Sequence, residues 1–500
     1  MKIDFKFPLV LITAPALFYF SCKQPARDVP YQCNCSEVGI DSSWADSSDV
    51  VCYQVPVSQN ANSDSSSKKI LMAVAVVKAS GASPLEPLLY LHGGPGISTL
   101  SNVKRYINSP AWKLIREKHD LVFFDYRGTG FSQPDLCSDL MDSLDNFRKT
   151  NPSMEEYFKR ETDLFRECAS VLKRDSIDIT SFTSPQVAAD AEAIRAALGI
   201  DKWNLYGVSY GTFIALKYIR HYPGNLNNVV LDSPFPPNTP WLDFVRPMNA
   251  VLAHIQGYLD EDSITRRYYP DIRRELGTAI RRLNSKPPLV NGLTYWGDEF
   301  AWSVQRALLK PTLVPLVPLV IKEVAGGNDS ILAIWKEKIG PSGSYGKYSA
   351  AQETAMLCYE NRPQNPGDMA DSLAKKYPDL VSFNLGFKQQ LCDVFRPELP
   401  AKDYFAPVSS DIPVMIMSGE FDPVTPPYFG EIAANSLSNA RVMVVHGASH
   451  AVLHFNDCTM DRVKQFLKDP KNDLSNECQS EKRKTVFATA GAEELLKKLK

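Results

Sequence analysis

Trp203-Asn-Leu-Tyr-Gly-Val-Ser209-Tyr-Gly-Thr212 decides how this chain is read. Trp203 to Tyr206 is a short apolar strand, and Thr212 to Arg220 reads as a helix, so Gly207-Val208-Ser209-Tyr210-Gly211 is the turn between them. Glycines flanking a serine let strand and helix approach closely around a strained turn, which lifts the hydroxyl above the sheet. Outside that context the string would be a plain Gly-Ser loop. Here it predicts a nucleophile elbow.

Outward from this turn the chain alternates strands and helices. Upstream, Ser184 to Leu198 is a helix: Ser184 is its expected cap, Pro185 suits the first turn, and Gly199 closes the end. Val187, Ala191, Ile194 and Leu198 fall on one face. Ile70 to Val77, Pro87 to Leu91, Leu121 to Phe124 and Val229 to Leu231 are continuous apolar runs, which suit parallel strands covered on both faces. The expected fold class is α/β, with a mostly parallel, doubly wound sheet.

After Pro234-Phe-Pro-Pro237 the rhythm changes. Helix-like stretches at Ile272 to Leu283 and Asp298 to Leu309, with few strand-like runs, predict a large, mostly helical cap over 238–405. The α/β pattern returns at Pro413 to Met417 and Arg441 to Val445, followed by a helix near Met460 to Leu467. The expected division is therefore 69–237 for the first part of the core, 238–405 for the cap, 406–480 for the second part and 481–500 for a tail. Within the tail, Glu493 to Lys500 is either a short basic amphipathic helix or a frayed end.

A serine at its own pKa is a weak nucleophile and needs a positioned base, which needs an orienting carboxylate. Asp422 follows the strand ending at Met417, in Gly419-Glu-Phe-Asp422-Pro423, and His450 follows the strand ending at Val445. Ser209, Asp422 and His450 are the predicted catalytic residues. His446 and His454 compete as the base and Glu420 competes as the acid, but His446 lies close to the strand end and His454 is expected inside the next helix. His92-Gly-Gly94-Pro-Gly96 follows another strand, and its Gly94 N–H, with the N–H of Tyr210, is the expected oxyanion hole. His92, Asp125 and Arg127 are expected to support loops rather than to move protons.

The 500 residues are 44% hydrophobic and 22% charged, which excludes wholesale disorder. Lys+Arg at 55 against Asp+Glu at 57 gives a net charge of -2, and no basic excess exists to neutralise nucleic acid. No metal cluster or cofactor motif is evident, and the triad needs none. At the N-terminus, Phe7 to Phe20 is a nearly pure apolar run, too short to span a bilayer and suited to a signal peptide over 1–22. Ser21-Cys22 resembles the end of a bacterial lipobox, so Cys22 is a candidate for lipidation and would be the sole membrane anchor. An ordinary signal peptide cleaved nearby is the alternative. Either reading exports the chain, and 23–68 then serve as tether and lead-in.

In an exported chain, cysteines without zinc spacing read as disulfides. Neighbours in sequence suggest Cys137 with Cys168, Cys358 with Cys392, and Cys458 with Cys478. Cys52 would take Cys33 or Cys35, which leaves one thiol over.

With HGGPG, DYRGTGFS, GVSYGT, GEFDPVTPP and His450 in this order, the chain resembles the prolyl iminopeptidase and tripeptidyl aminopeptidase branch of the α/β-hydrolase serine peptidases. It is most similar to secreted tripeptidyl aminopeptidases, and 406–480 resembles their C-terminal region. The resemblance extends through Trp44, Cys52 to Val57 and the segment Cys458 to Cys478. It implies an exopeptidase acting on peptides with a free N-terminus, in which the cap offers carboxylates to the substrate ammonium. Glu360, in Cys358-Tyr-Glu360, matches the family's cap-side pattern and is the implied amine anchor. A carboxylesterase using the same triad on small acyl esters is the alternative. A catalytically idle, peptide-binding lipoprotein is a third.

Overall fold

The computed structural model describes residues 29–61, 68–82, 84–239, 244–340, 346–361, 372–373, 375–380, 389–395, 399–471 and 485–498. The expected signal peptide, Cys22 and Cys478 lie outside the described residues.

A nine-stranded sheet organises the chain. Its strands are β1 (Tyr31–Cys33), β2 (Val50–Ser58), β3 (Lys69–Val77), β4 (Leu85–Leu91), β5 (His119–Phe124), β6 (Trp203–Val208), β7 (Leu226–Asp232), β10 (Val414–Gly419) and β11 (Ala440–Val445). A separate two-stranded ribbon pairs β8 (Leu289–Val290) with β9 (Leu293–Thr294). The spatial order of the large sheet is β1-β2-β3-β5-β4-β6-β7-β10-β11. From β5 to β11 every pairing is parallel.

β3 departs from expectation, because it pairs antiparallel with both β2 and β5. Its unbroken apolar run reports two covered faces, which burial imposes whatever the strand direction. One face packs with Leu205, Phe213, Ile214 and Val229, the other with Leu88, Trp112, Phe123 and Met417. Each face therefore has its own core, as a doubly wound sheet requires.

The helix Ser184–Ala197 forms where its apolar face predicts. Its cap position is Thr183, however, and the buried Ser184 hydroxyl pairs with the Tyr404 hydroxyl instead. Among the described residues the longest helix is Met154–Arg174, for which the apolar runs set no expectation. Its start is nevertheless written in Ser153-Met-Glu-Glu156, a reciprocal capping box in which Ser153 and Glu156 satisfy each other's backbone N–H.

Helices Val245–Glu261, Ile272–Ser285, Gly297–Leu308, Val317–Ala325 and Ile331–Ile339 enclose a second core that includes Met248, Leu276, Phe300, Leu319 and Trp335. Helix Ala492–Lys498 belongs to this body: Leu496 is wholly buried in it, and the Ala488 N–H reaches the Pro315 carbonyl at 3.1 Å. Helices Ala350–Asn361 and Gln389–Phe395 pack elsewhere. They are joined by the Cys358–Cys392 disulfide and sit against Leu136, Phe165 and Phe182, while Met356 enters the core of the sheet.

Cys137 pairs with Cys168, and Cys52 takes Cys35 rather than Cys33, which stays a thiol. Cys458 is also in a disulfide.

Candidate active site

The site lies at the carboxyl ends of the parallel strands, where crevices open in such sheets. Ser209 follows β6 directly and has φ 55° and ψ -123°, a conformation that non-glycine residues rarely occupy. Two neighbours permit it. A Cβ at Gly207 would lie 2.7 Å from the Gly211 carbonyl, and one at Gly211 would lie 2.0 Å from the Leu91 carbonyl. Any side chain at either position would push the helix Tyr210–His221 off β4 and β6. The turn is further held by the Ser209 N–H on the Asp232 carbonyl at 2.9 Å and by Thr212, whose N–H donates to the Ser209 carbonyl at 2.9 Å.

The loop His92–Gly96 runs over this serine. A Cβ at Gly93 would sit 2.9 Å from the Ser209 Cβ and 3.5 Å from its Oγ. Tyr126 donates its hydroxyl to the His92 carbonyl at 2.8 Å, and the Gly96 carbonyl accepts the Ser349 N–H at 2.8 Å. His92 itself is half-buried, with Nδ1 2.9 Å from the Tyr90 hydroxyl. Burial, and then the nearby Arg105 charge, push its pKa down to about 4, so it is a neutral tie within the loop. Tyr210 stands at the first helical position, where N–H groups point out of the helix end and favour negative charge.

Asp422 and His450 meet at 2.7 Å between Oδ2 and Nδ1. The carboxylate is fully buried and also accepts the N–H groups of Val424 and Thr425, both at 2.9 Å, and the Thr425 hydroxyl at 2.8 Å. Burial would raise its pKa, but His450 and these donors outweigh that and hold it below the ordinary carboxylate range. For His450 burial acts downward, whereas Asp422 and then Asp232 draw its pKa above the ordinary histidine value. His450 and Ser209 are both half-buried.

The histidine loop is held from the end of β7, which no motif in the sequence marks. Asp232, the last residue of β7, accepts the N–H groups of Val452 at 2.8 Å and Leu453 at 3.1 Å and the Tyr206 hydroxyl at 2.5 Å. Next to it, the Ser233 hydroxyl accepts the Ala451 N–H at 2.9 Å. In the sheet, Asp232 pairs with Val208 on one side and Met417 on the other. The only signal in the sequence was an Asp-Ser pair directly after an apolar strand.

The competing residues are placed elsewhere. His446 approaches Glu420 at 3.5 Å, and His454 closes the short turn Val452–His454. Glu420 faces His254 and Tyr258, so Asp422 is the carboxylate that meets His450. Arg127 is buried in a two-pronged pair with Asp190, at 2.7 and 2.6 Å, and also donates to the carbonyls of Gln59 and Ser181. Asp125 accepts from the Ser98 hydroxyl and from the N–H groups of Leu100 and Phe131. Both hold loops together.

Glu360 is wholly enclosed, with no exposed surface. Its Oε1 accepts the hydroxyls of Tyr210 at 2.7 Å and Tyr404 at 3.1 Å, while among the described residues Oε2 has no hydrogen-bond partner. Burial pushes its pKa up to about 7, against the lowering effect of these hydroxyls and of Lys217. The structure thus brings Glu360 to the residue after Ser209 and not to an open surface. Among the described residues no three His, Cys, Asp or Glu side chains are grouped to hold a metal ion, and no helix is long and apolar enough to cross a membrane.

Residues 86–457 match the model of the α/β-hydrolase fold family. The chain belongs to that family. It is 36% identical over 149 residues to a tripeptidyl aminopeptidase of Streptomyces lividans, a match covering 29% of this chain and 28% of that relative. The chain therefore spans little more than a quarter of that relative's length. Serine protease Hip1 of Mycobacterium tuberculosis is 25% identical over 412 residues, covering 74% of this chain and 76% of its own. Among solved structures, the proline iminopeptidase of Mycobacterium smegmatis aligns with a TM-score of 0.38 at 16% identity, over 80% of this chain and 95% of its own.

Proposed function

We propose that the chain is an exported serine aminopeptidase that cleaves peptide bonds near the free N-terminus of peptides. The observation that carries this reading is the 2.7 Å contact between His450 and the buried Asp422, on loops fastened beside the strained turn of Ser209. In the proposed reaction Ser209 Oγ attacks the substrate carbonyl and gives its proton to His450 Nε2. The N–H groups of Gly94 and Tyr210 take the oxyanion. His450 then protonates the leaving amine, and water reverses the sequence to release the acyl group.

The names of the relatives support a peptidase over an esterase. Disulfides at Cys35–Cys52, Cys137–Cys168 and Cys358–Cys392 support an oxidising compartment, as export would supply. The signal peptide and a lipid on Cys22 rest on sequence alone.

Ser209→Ala is expected to abolish both turnover of aminoacyl and tripeptidyl amides and labelling by a fluorophosphonate, with an unchanged circular dichroism spectrum. Activity surviving in that variant refutes the mechanism. Loss of cleavage on N-acetylation of the peptide supports the aminopeptidase. Rapid turnover of simple esters without any cleavage of peptides would make the chain a carboxylesterase.

A further inference from the structure

The residues around Asp422 do more than present it. Glu420-Phe421-Asp422 sends three side chains in three directions. Asp422 turns to His450. Phe421 is inserted into the core of the helical body, in ring contact with His254, Tyr258 and, through Tyr258, with Phe487. Glu420 divides its carboxylate. Oε1 accepts His254 Nε2 at 2.9 Å and the Tyr258 hydroxyl at 2.6 Å, both from the helix Val245–Glu261. Oε2 accepts the Gly447 N–H at 2.7 Å on the loop that leads to His450, with His446 Nδ1 at 3.5 Å. The same two loops are tied again by the Phe421 N–H on the Ala448 carbonyl at 2.9 Å.

We propose that Glu420 is a positioning residue that locks the helical cap to the acid and histidine loops, so that the seating of the cap sets the geometry of the catalytic pair. The inference rests on the triad reading above and adds a coupling to it. One carboxylate with donors on both oxygens is a rigid bridge, because each charge-assisted bond fixes the direction of the next. Burial alone would raise the pKa of Glu420, but the donors from His254, Tyr258 and Gly447 bring it down to about 2, so the bridge stays charged across the working pH range. His254 is half-exposed at the cap surface, so the cap side of the bridge can be removed without opening a cavity in the core. Glu420 has no direct contact with the reacting atoms in this scheme. It acts through the loops that carry Asp422 and His450.

The test separates the two ends of the bridge. His254→Ala with Tyr258→Phe removes only the cap side and leaves Gly447 on Glu420. Glu420→Ala removes both sides, and Glu420→Gln keeps an acceptor while losing the charge. Two readouts are taken on each full-length variant: kcat and KM for a free-amine peptide amide, and the rate of labelling by a small fluorophosphonate, which reads the catalytic pair without a peptide held by the cap. The double variant is expected to lose kcat on the peptide and the labelling rate together, each by roughly 10-fold. Glu420→Ala is expected to lose both rates by roughly 100-fold, with Glu420→Gln between the two.

Equal peptide kinetics in the double variant and the wild type would overturn the coupling, as would wild-type labelling of Glu420→Ala. Should Glu420→Ala fail to fold, the double variant and Glu420→Gln still decide. If wild-type protein neither labels nor turns over peptide, the catalytic reading itself falls and the coupling with it. Labelling that is present in the wild type and unchanged in all variants sinks only the coupling.

Discussion

Ser209 donates its backbone N–H to the carbonyl of Asp232, while the side chain of Asp232 receives the N–H groups of Val452 and Leu453 just beyond His450. One residue at the end of β7 therefore holds both the nucleophile's turn and the base's loop. Both loops are therefore tied to the register of β7. β6 and β10 flank Asp232 in that register, which is how residues far apart in the chain arrive at one point.

Replacing Asp232 tests this directly. Asp232→Ala leaves buried N–H groups and the Tyr206 hydroxyl without an acceptor, at a cost of about 1–3 kcal/mol for each group left unsatisfied. Urea unfolding should reveal the loss, and kcat should fall by roughly 100-fold in the protein that remains folded. Asp232→Asn, which keeps one acceptor, should fall between the two. Wild-type kcat in the alanine variant would mean that the histidine loop is held by something else.

The pH dependence follows from Asp422 and His450. General-base catalysis needs neutral His450, whose pKa is drawn above its usual value, so activity should rise with pH through a limb above about 6.5. Asp422→Asn removes the attraction for the imidazolium. It should move that limb to lower pH and reduce kcat by roughly 10,000-fold. Stability runs in the opposite sense for the two groups. The share from His450 is fully present below about 6.5 and fades as pH rises through the raised folded value. The share from Asp422 is present above about 3.9 and is lost as pH falls through its lowered folded value. Activity and thermal unfolding measured between pH 3 and 9 check both signs (that window being set by about 3.9 and 6.5).

Glu360 separates a substrate anchor from a support for Tyr210. Glu360→Gln keeps an oxygen for the Tyr210 hydroxyl and removes the charge, whereas Glu360→Ala removes both. Because the carboxylate is enclosed and already holds Tyr210, the glutamine variant should keep kcat/KM within about 3-fold, and the alanine variant should lose about 10-fold or more on amides and esters alike. A selective loss by Glu360→Gln on free-amine substrates would instead assign the ammonium to this residue.

Cys33 gives a chemical readout of the N-terminal pairing. Its Cα partner across the β1–β2 pairing is Cys52, yet Cys52 is bonded to Cys35. Burial, and then Glu37, push the Cys33 thiol up to about 11. It should alkylate slowly at pH 8 in the native protein, at a rate that tracks its small thiolate fraction, and rapidly once unfolded without reductant. Peptide mapping should then find the alkyl group on Cys33 and an intact Cys35–Cys52 bridge. A Cys33–Cys52 bridge would contradict the structure.

The elbow, the order Ser209, Asp422, His450 and the α/β alternation were legible in the sequence because each depends on local patterns: glycines around a turn, apolar runs of strand length, polar loops after them. The capping box at Ser153 is a local pattern of the same kind, written in Ser153 and Glu156. Three things had no local signature. The antiparallel pairing of β3 is a choice among partners for a run that is buried either way. Asp232 reads as an ordinary acidic residue, and Glu420 as a rival to Asp422, until the folded chain brings donors to them from residues far away in sequence. Glu360 looks available in a Cys-Tyr-Glu string, and its enclosure by Tyr210 and Tyr404 exists only once the helix Ala350–Asn361 packs on the sheet. Local covalent geometry and burial write themselves into short stretches of chain. The satisfaction of a buried charge is settled by whichever groups tertiary packing brings within about 3 Å of it.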